Sequence, residues 1–266
     1  MIADLLLPAR IWLAAVRIEL RAAIQYRSNV VIQIATSMLT ILVLYYFWRA
    51  VFASRSDVAG LDFSFMLRYV VLSRFVLSVS DVSGVAYRLS DSIRDGSLIV
   101  HLTKPYGLLG HLLAISTAGV AWRALWIGLP LVVLGIVLRS APEPGAMLGL
   151  FVPSILLALL ANTAIELSLG LAAFWLRRNE GLIHLYAFLR SFLSGALFPL
   201  VLLPGFARKV VAYLPFRTAL DVPVGYYLGF SPASAILLQV GWCVTLWGTC
   251  LLMLRVAQRR YPGFGG

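Results

Sequence analysis

Charged residues are scarce in this sequence. Only 12% of its 266 residues are Asp, Glu, Lys or Arg, whereas 61% are hydrophobic. Such a chain has too little polar surface to cover a water-soluble globule. Its apolar runs are long and unbroken, and the short alternating segments typical of a membrane β-barrel are missing. These features predict an all-α integral membrane protein.

Cysteine is rare, and the common chemical motifs are missing. Cys243 and Cys250 lie in one apolar run at a spacing that suits neither a disulfide nor a metal site, so we interpret them as small core residues. The sequence has no G-x-x-x-x-G-K-[ST] motif and no room outside its apolar runs for a nucleotide-binding domain. We therefore expect no catalytic site, metal or cofactor in this chain.

Basic residues outnumber acidic ones by 22 to 11, which gives a net charge of +11. They occur in short groups beside the apolar runs and do not form a single stripe, so we expect no nucleic-acid binding. We therefore use the positions of the basic residues to predict membrane topology.

Six apolar runs are long enough to cross a bilayer as helices. The first ends in the aromatic cluster Tyr45–Trp48, as expected at a headgroup boundary. The third is about 45 Å long as a helix, so it has to tilt, project into the interface or kink near Pro130. The predicted spans are residues 30–47, 63–82, 108–138, 148–176, 182–203 and 233–254.

The basic residues that flank these spans predict their orientation. With the N-terminus in the cytoplasm, twelve of them lie on the cytoplasmic side and six on the outer side. We therefore expect a single transmembrane domain over residues 1–266 in the inner (plasma) membrane, with both termini cytoplasmic. Residues 255–266 would form a cytoplasmic tail.

Two cytoplasmic segments are candidates for protein contacts. Residues 1–28 contain an amphipathic helical pattern in which Arg10, Arg17 and Arg21 share a sector, which suits an interfacial helix. It is either a basic anchor that fixes topology or a docking element. Residues 88–105, between spans two and three, predict a short helix with a proline stop. This segment either docks a soluble partner or is an ordinary capped loop.

Several polar residues fall inside the predicted spans. Asn162 and Glu166 lie one turn apart on one helix face, and Arg74 and Arg123 lie on other spans. Each unpaired charge would cost roughly 2.5–3.5 kcal/mol at the membrane centre. These residues either make interhelical contacts that fix the packing, or they contact substrate or relay protons.

Five of the 12 prolines lie between spans five and six. They would break this region into short helices, and broken backbone at membrane depth is tolerated only inside protein or around a wet cavity. The region, residues 204–232 together with the residues from Pro199 that lead into it, is either a buried re-entrant cap or an irregular outer loop. The prolines are Pro199, Pro204, Pro215, Pro223 and Pro232.

Two motifs resemble the permeases of type-2 ATP-binding-cassette (ABC) exporters, a six-span family. Ile93-Arg94-Asp95-Gly96-Ser97-Leu98, followed by Leu102-Thr103-Lys104-Pro105, is similar to the family's cytoplasmic segment between spans two and three, where Glu is common in place of Asp95. Ser194-Gly195-Ala196-Leu197-Phe198-Pro199, with the later Pro204-Gly205-Phe206 and Leu214-Pro215-Phe216, is similar to its fifth span and outer re-entrant region. The resemblance covers nearly the whole chain.

The resemblance implies a permease subunit that exports a hydrophobic or amphipathic substrate by alternating access. ATP and Mg would be bound by a separate ABC ATPase, expected in two copies, and a second permease, identical or a sister protein, would complete the assembly. The outer re-entrant region would include Gly195, Pro199, Pro204, Pro215 and Pro223. The residues implied to couple to the ATPase are Ile93, Arg94, Asp95, Gly96, Leu98, Leu102, Lys104 and Pro105.

Two other classes of protein fit less well. A secondary transporter usually has internal repeats, and the two halves of this chain show no convincing self-similarity. A membrane-embedded lipid-modifying enzyme needs a convergent set of acids, bases or metal ligands, whereas the His and Glu residues here are isolated.

Overall fold

A computed structural model of the protein describes four main stretches of the chain, residues 27–97, 123–131, 147–176 and 178–260. The described residues are almost entirely helical and contain no strand. The predicted all-α membrane fold is therefore confirmed. Isolated described positions are 13, 14, 17, 18, 21, 116, 120 and 133.

Nine α-helices are described and are numbered here in chain order. Four of the helical stretches are long and apolar enough to cross a membrane, namely Val31–Phe52, Phe63–Arg94, Leu148–Phe174 and Ala235–Arg259. The helices are α1 Arg27–Phe52, α2 Phe63–Ser80, α3 Val85–Arg94, α4 Leu148–Leu171, α5 Glu180–Leu193, α6 Gly205–Ala212, α7 Pro215–Ala219, α8 Asp221–Leu228 and α9 Ala235–Arg260.

Helix α1 is longer than the predicted first span, 30–47. It continues to Phe52, so the aromatic cluster lies inside the helix and does not mark its end. Ile41 and Trp48 pack on Met66 of α2, while much of the opposite surface of α1, including Val31 and Leu39, is exposed. This apolar exposed surface suits contact with lipid or another protein.

The predicted second span, 63–82, corresponds closely to α2. The carboxylate of Asp62 caps its first turn by accepting from the N–H of Phe65 and from the hydroxyl of Ser64, and these bonds lower the pKa of Asp62. After Ser80 the chain leaves the helix for four residues, and α3 begins at Val85. The predicted cytoplasmic segment at residue 88 thus begins inside a helix.

The third predicted span, 108–138, is described only in part. Residues Ala124–Gly128 form a π-helical turn immediately before Pro130. Proline lacks an N–H and crowds the preceding turn, and a wider turn accommodates this. The helix is thus distorted close to the predicted position.

Helix α4 is the central helix of the described bundle and packs mainly against α9 and α3. Gly170 permits the close approach of α3, because a Cβ added there would lie 2.8 Å from Cβ of Leu89 and 3.1 Å from the carbonyl oxygen of Ala86. The core here includes Val85, Leu89, Leu167 and Cys250. Cys243 and Cys250 are free and buried, as expected for core residues.

The predicted fifth span, 182–203, is wrong at its far end. Helix α5 ends at Leu193, ten residues early, because the chain turns through Gly195 with φ +91° and enters a proline-rich connection to α9. This connection, residues 194–234, contains the short helices α6, α7 and α8. The last helix extends to Arg260, so part of the predicted 255–266 tail is helical.

Candidate functional site

The break between α2 and α3 exposes backbone carbonyls inside the bundle. Asn162 of α4 donates to the carbonyl of Ser80 at 3.0 Å. Arg123 donates to the carbonyl of Ser78 at 3.2 Å and also to that of Asp81. The interrupted helix leaves these backbone carbonyls without partners of its own, and the two side chains supply them. Backbone polar groups inside a membrane need such partners because no water is available there.

Glu166, one turn after Asn162, contacts the other side of the break. Its carboxylate accepts from the N–H of Ala86 in the first turn of α3, at 3.2 Å. This N–H has no partner within its own helix, and an acidic group is favourable near a helix N-terminus. Asn162 and Glu166 therefore bind the end of α2 and the start of α3, respectively.

One ion pair crosses the bundle at the break. Nη1 of Arg190 in α5 lies 3.0 Å from Oδ1 of Asp81, and the side chains are 12% and 30% exposed. Ser83 also donates to the Asp81 carboxylate at 2.6 Å. Because both charges are largely shielded from water, removal of one would leave the other poorly compensated.

Arg74 makes a different contact. Its Nη2 donates to the carbonyl of Ala196, just after α5, at 2.9 Å. Arg74 and Arg123 both line a cleft of about 670 Å³ between α1, α2 and α5. Asn162 and Glu166 do not line it. Of the four predicted polar residues, Asn162 and Glu166 support only the break, Arg74 lines the cleft, and Arg123 does both.

Arg94, the last residue of α3, joins this helix to the start of α5. Its Nη1 lies 2.6 Å from the carboxylate of Glu180, and its Nη2 donates to Oδ1 of Asn179 at 2.7 Å. Two hydrogen bonds to the Glu180 carboxylate hold its pKa below the usual range: the larger effect comes from the backbone N–H of Glu180 itself, and the smaller from the side chain of Arg94. The second residue of the sequence motif thus contacts the start of another helix.

Asn179 is buried and makes three side-chain hydrogen bonds. Besides accepting from Arg94, its Nδ2 donates to Oγ of Ser90 at 2.8 Å and to the carbonyl of Leu169 at 2.7 Å. One amide therefore connects α3, α4 and the start of α5. A displacement of α3 would act directly on two neighbouring helices.

The other coupling residues are described in part. Ile93 packs inward against the cluster around Leu89 and Leu167, so it supports the bundle. Asp95 caps the end of α3, and Gly96 follows with φ +76°. The remaining four, Leu98, Leu102, Lys104 and Pro105, lie outside the described residues, as do most of residues 1–28.

The 194–234 connection closes the opposite end of α2. The hydroxyl of Tyr69 donates to the carbonyl of Gly195 at 2.8 Å. Pro204 precedes α6 and Pro215 begins α7, positions at which the missing N–H costs nothing. Gln239 of α9 donates to the carbonyl of Thr218 at 2.7 Å, which fixes α7 to the last helix.

Pro199 and Pro223 have similar structural roles. Pro199 precedes a short 3-10 helix, and Pro223 lies in the first turn of α8. The prediction that prolines divide this region into short helices is confirmed. Much of the connection is packed: Leu220, Val222 and Tyr226 are fully buried.

Three important residues were not predicted as site residues: Asp81, Arg190 and Asn179. A usable signal was present for the first two. The six predicted spans contain only two acidic residues, Asp81 and Glu166, so a basic residue inside a neighbouring span was a natural partner. Asn179 gave no such signal, because an Asn between two spans is typical of a turn.

The described geometry is that of a polytopic helix bundle with a broken second helix and a packed, proline-rich connection before the last helix. Residues 7–265 match the family model for an ABC-2 family transporter protein. The chain belongs to the ABC-2 transporter family. No curated protein sequence matches it significantly.

Membership of the ABC-2 family makes this chain the membrane-embedded permease component of an ABC transporter, and it implies an ABC ATPase subunit as its partner. Permeases of this family are transport components and are not generally catalytic themselves. The Arg94–Asn179–Glu180 contacts therefore belong to the permease component of a transporter.

Replacing Asn179 with alanine is expected to destabilise this ABC-2 permease by about 1–3 kcal/mol, because Ser90, Arg94 and the Leu169 carbonyl would lose a buried partner. Thermal unfolding of the purified protein measures the effect. Asn179→Asp retains the acceptor for Arg94 but turns a carboxylate oxygen towards the Leu169 carbonyl oxygen, so we expect it to lose at least as much stability as Asn179→Ala. Equal stability of all three proteins would contradict the role of this residue.

Proposed function

We propose that this permease exports a hydrophobic or amphipathic substrate by alternating access, driven by two copies of a separate ABC ATPase that bind ATP and Mg. A second permease, identical or a sister protein, completes the translocation path. Residues 93–105 are the coupling segment that the ATPase moves. The protein lies in the inner membrane with both termini in the cytoplasm.

The observation that carries this proposal is the connection of Arg94 to Asn179 and Glu180. A force on the coupling segment would reach α3 and then pass through these contacts to α4 and α5. Because the Glu180 pair is partly exposed, the connection would be able to break and reform without a large energetic cost. Such a contact suits a moving joint between elements that are otherwise rigid.

The opposite end of the bundle supports the same mechanism. Tyr69 and Gly195 join α2 to the region after α5, and Asp81 and Arg190 join the two helices midway. α2–α3 and α5 therefore contact each other at three depths. Motion delivered to α3 would be transmitted along this pair of elements towards the 194–234 connection.

The proposal is tested by co-purification. The tagged permease is isolated in mild detergent with its native partners, and ATPase activity is measured for the wild type and for Leu98→Asp, a change at a coupling residue. We expect a P-loop ATPase to co-purify with the wild type and to be lost with Leu98→Asp, because a charge would oppose docking of an apolar contact residue.

Phe206→Asp is the matched control. Phe206 is 82% exposed and lies in the 194–234 connection, which we propose faces away from the cytoplasm. The same kind of substitution there is expected to leave ATPase binding intact. A permease that purifies without any ATPase, yet transports in response to a proton gradient, would overturn the proposal in favour of a secondary transporter.

A further inference from the structure

The cleft between α1, α2 and α5 has an unusual lining for a membrane protein. Alongside Thr36, Ser37 and Ser191 it contains three arginines and a single acidic residue, Asp81. The described lining therefore carries two more positive than negative charges. The arginines are Arg74, Arg123 and Arg190.

The sequence offers little to neutralise this charge. Four arginines lie in the predicted spans, against the acids Asp81 and Glu166. Glu166 is directed to the N–H of Ala86 and does not line the cleft. Asp81 is already paired with Arg190. Arginines held at membrane depth without matching acids are unfavourable unless something else supplies negative charge.

Several residues that line the cleft carry donor atoms without a partner. Among the described residues, Nε of Arg74, Nε and Nη2 of Arg190 and Oγ of Ser194 are buried and have no hydrogen-bond partner. A buried donor without a partner is costly in a stable protein. Donors of this kind, grouped around one cavity, are what an anionic ligand would satisfy.

We infer that this cleft binds the anionic headgroup of an amphipathic molecule. The guanidinium groups of Arg74 and Arg190 donate to phosphate, carboxylate or sulfate oxygens, for which the planar fork of arginine is well suited. The apolar part of the molecule lies along α1, where Ile32 lines the cleft.

This inference rests on the proposed function, because it names the substrate class of the export path. The same chemistry has two sources: a cargo molecule on its way out, or a resident anionic lipid of the bilayer. We assign it to cargo, because the cleft contacts α5, which the coupling segment moves through Asn179 and Glu180.

Binding is measured first, without ATP. The purified permease, together with any ATPase that co-purifies with it, is placed in neutral phosphatidylcholine nanodiscs and titrated with fluorescent dodecyl phosphate, or with dodecylphosphocholine carrying the same label. The wild type is expected to bind dodecyl phosphate at least about tenfold more tightly, because its phosphate carries more negative charge and lacks the choline cation that the arginines would repel. Equal affinity for the two probes would overturn the inference.

Variants locate the site. Arg74→Gln is expected to weaken dodecyl phosphate binding about tenfold, with Arg74→Lys intermediate. Gln33→Glu adds negative charge at an exposed cleft position without removing an internal contact, and is also expected to weaken binding. Arg55→Gln removes an exposed arginine that does not line the cleft. It is the control for non-specific electrostatic attraction of the anionic probe to the protein, and it is expected to bind like the wild type. Arg74→Gln and Gln33→Glu proteins that fold and bind like the wild type would overturn the assignment.

Addition of ATP separates the two sources. ATP-dependent movement of dodecyl phosphate across proteoliposomes supports the cargo assignment, whereas a probe that stays bound during ATP hydrolysis overturns it and identifies a resident lipid. The titration does not depend on ATPase docking. Loss of the proposed function would therefore appear as a missing ATPase, and loss of this inference as absent selectivity for the anionic probe.

Discussion

Replacing Arg190 with leucine is expected to lower the free energy of unfolding by about 3 kcal/mol, the low end of the range for breaking a buried ion pair. Arg190 is the ion-pair partner of Asp81 at 3.0 Å, and the change leaves that carboxylate inside the bundle. The lower value is chosen because the Asp81 side chain is 30% exposed and also accepts from Ser83. Thermal unfolding in detergent and the yield of folded protein measure the effect.

The double variant Asp81→Asn, Arg190→Leu provides the decisive comparison. It removes the orphaned charge, so we expect it to be more stable than Arg190→Leu alone. Arg208→Leu is the control for loss of an exposed arginine and is expected to be nearly neutral. A double variant no better than the single one would show that the ion pair does not determine stability at this position.

The membrane class and most helices were predictable from the sequence, because a bilayer imposes a length and an apolar composition on any helix that crosses it. The first and last helices extend five and six residues past their predicted ends at Phe47 and Leu254. Hydropathy does not detect a helix that continues beyond the hydrocarbon in polar residues, as α9 does over residues 255–260. In α1 the residues after Arg49 are apolar, and the predicted end was placed too early, at the aromatic cluster.

The errors inside the bundle have another cause. Residues 182–203 form one apolar run, yet α5 stops at Leu193 because Gly195 adopts a positive φ and the chain folds back into the protein. Composition does not distinguish apolar residues facing lipid from apolar residues buried against other helices. The end of α2 near Asp81 was predicted, but its continuation into the packed helix α3 was not, since the partners that stabilise the break lie on distant segments.

The candidate site was partly predictable. Sequence reasoning identified four of its residues, because polar side chains are costly at membrane depth and are therefore usually paired or functional. They are Arg74, Arg123, Asn162 and Glu166. Their partners were not predictable, because most are backbone carbonyls or N–H groups rather than the opposite charges that sequence reasoning pairs. The arginine-lined cleft likewise depends on how α1, α2 and α5 are arranged, and a single sequence does not encode this arrangement in any local pattern.

Gly195 is the second position at which a small change is expected to have a large effect. Its φ of +91° disfavours any residue with a Cβ. An added Cβ would also lie 2.5 Å from the hydroxyl oxygen of Tyr69, which is buried and donates to the Gly195 carbonyl. Together, the backbone strain and the disturbed hydrogen bond predict a loss of about 2–5 kcal/mol for Gly195→Ala.

The two contributions to this loss are separable because they respond differently to Tyr69. Adding Tyr69→Phe removes the hydroxyl that the new methyl group would strike, so we expect the double variant to regain part of the lost stability; no recovery would assign the whole cost to the backbone. Gly149→Ala, where nothing lies within 4 Å of the added Cβ, is expected to be neutral or slightly stabilising. If Gly195→Ala unfolds at the same temperature as Gly149→Ala, the turn after α5 is not the rigid joint to α2 that transmission through the bundle requires.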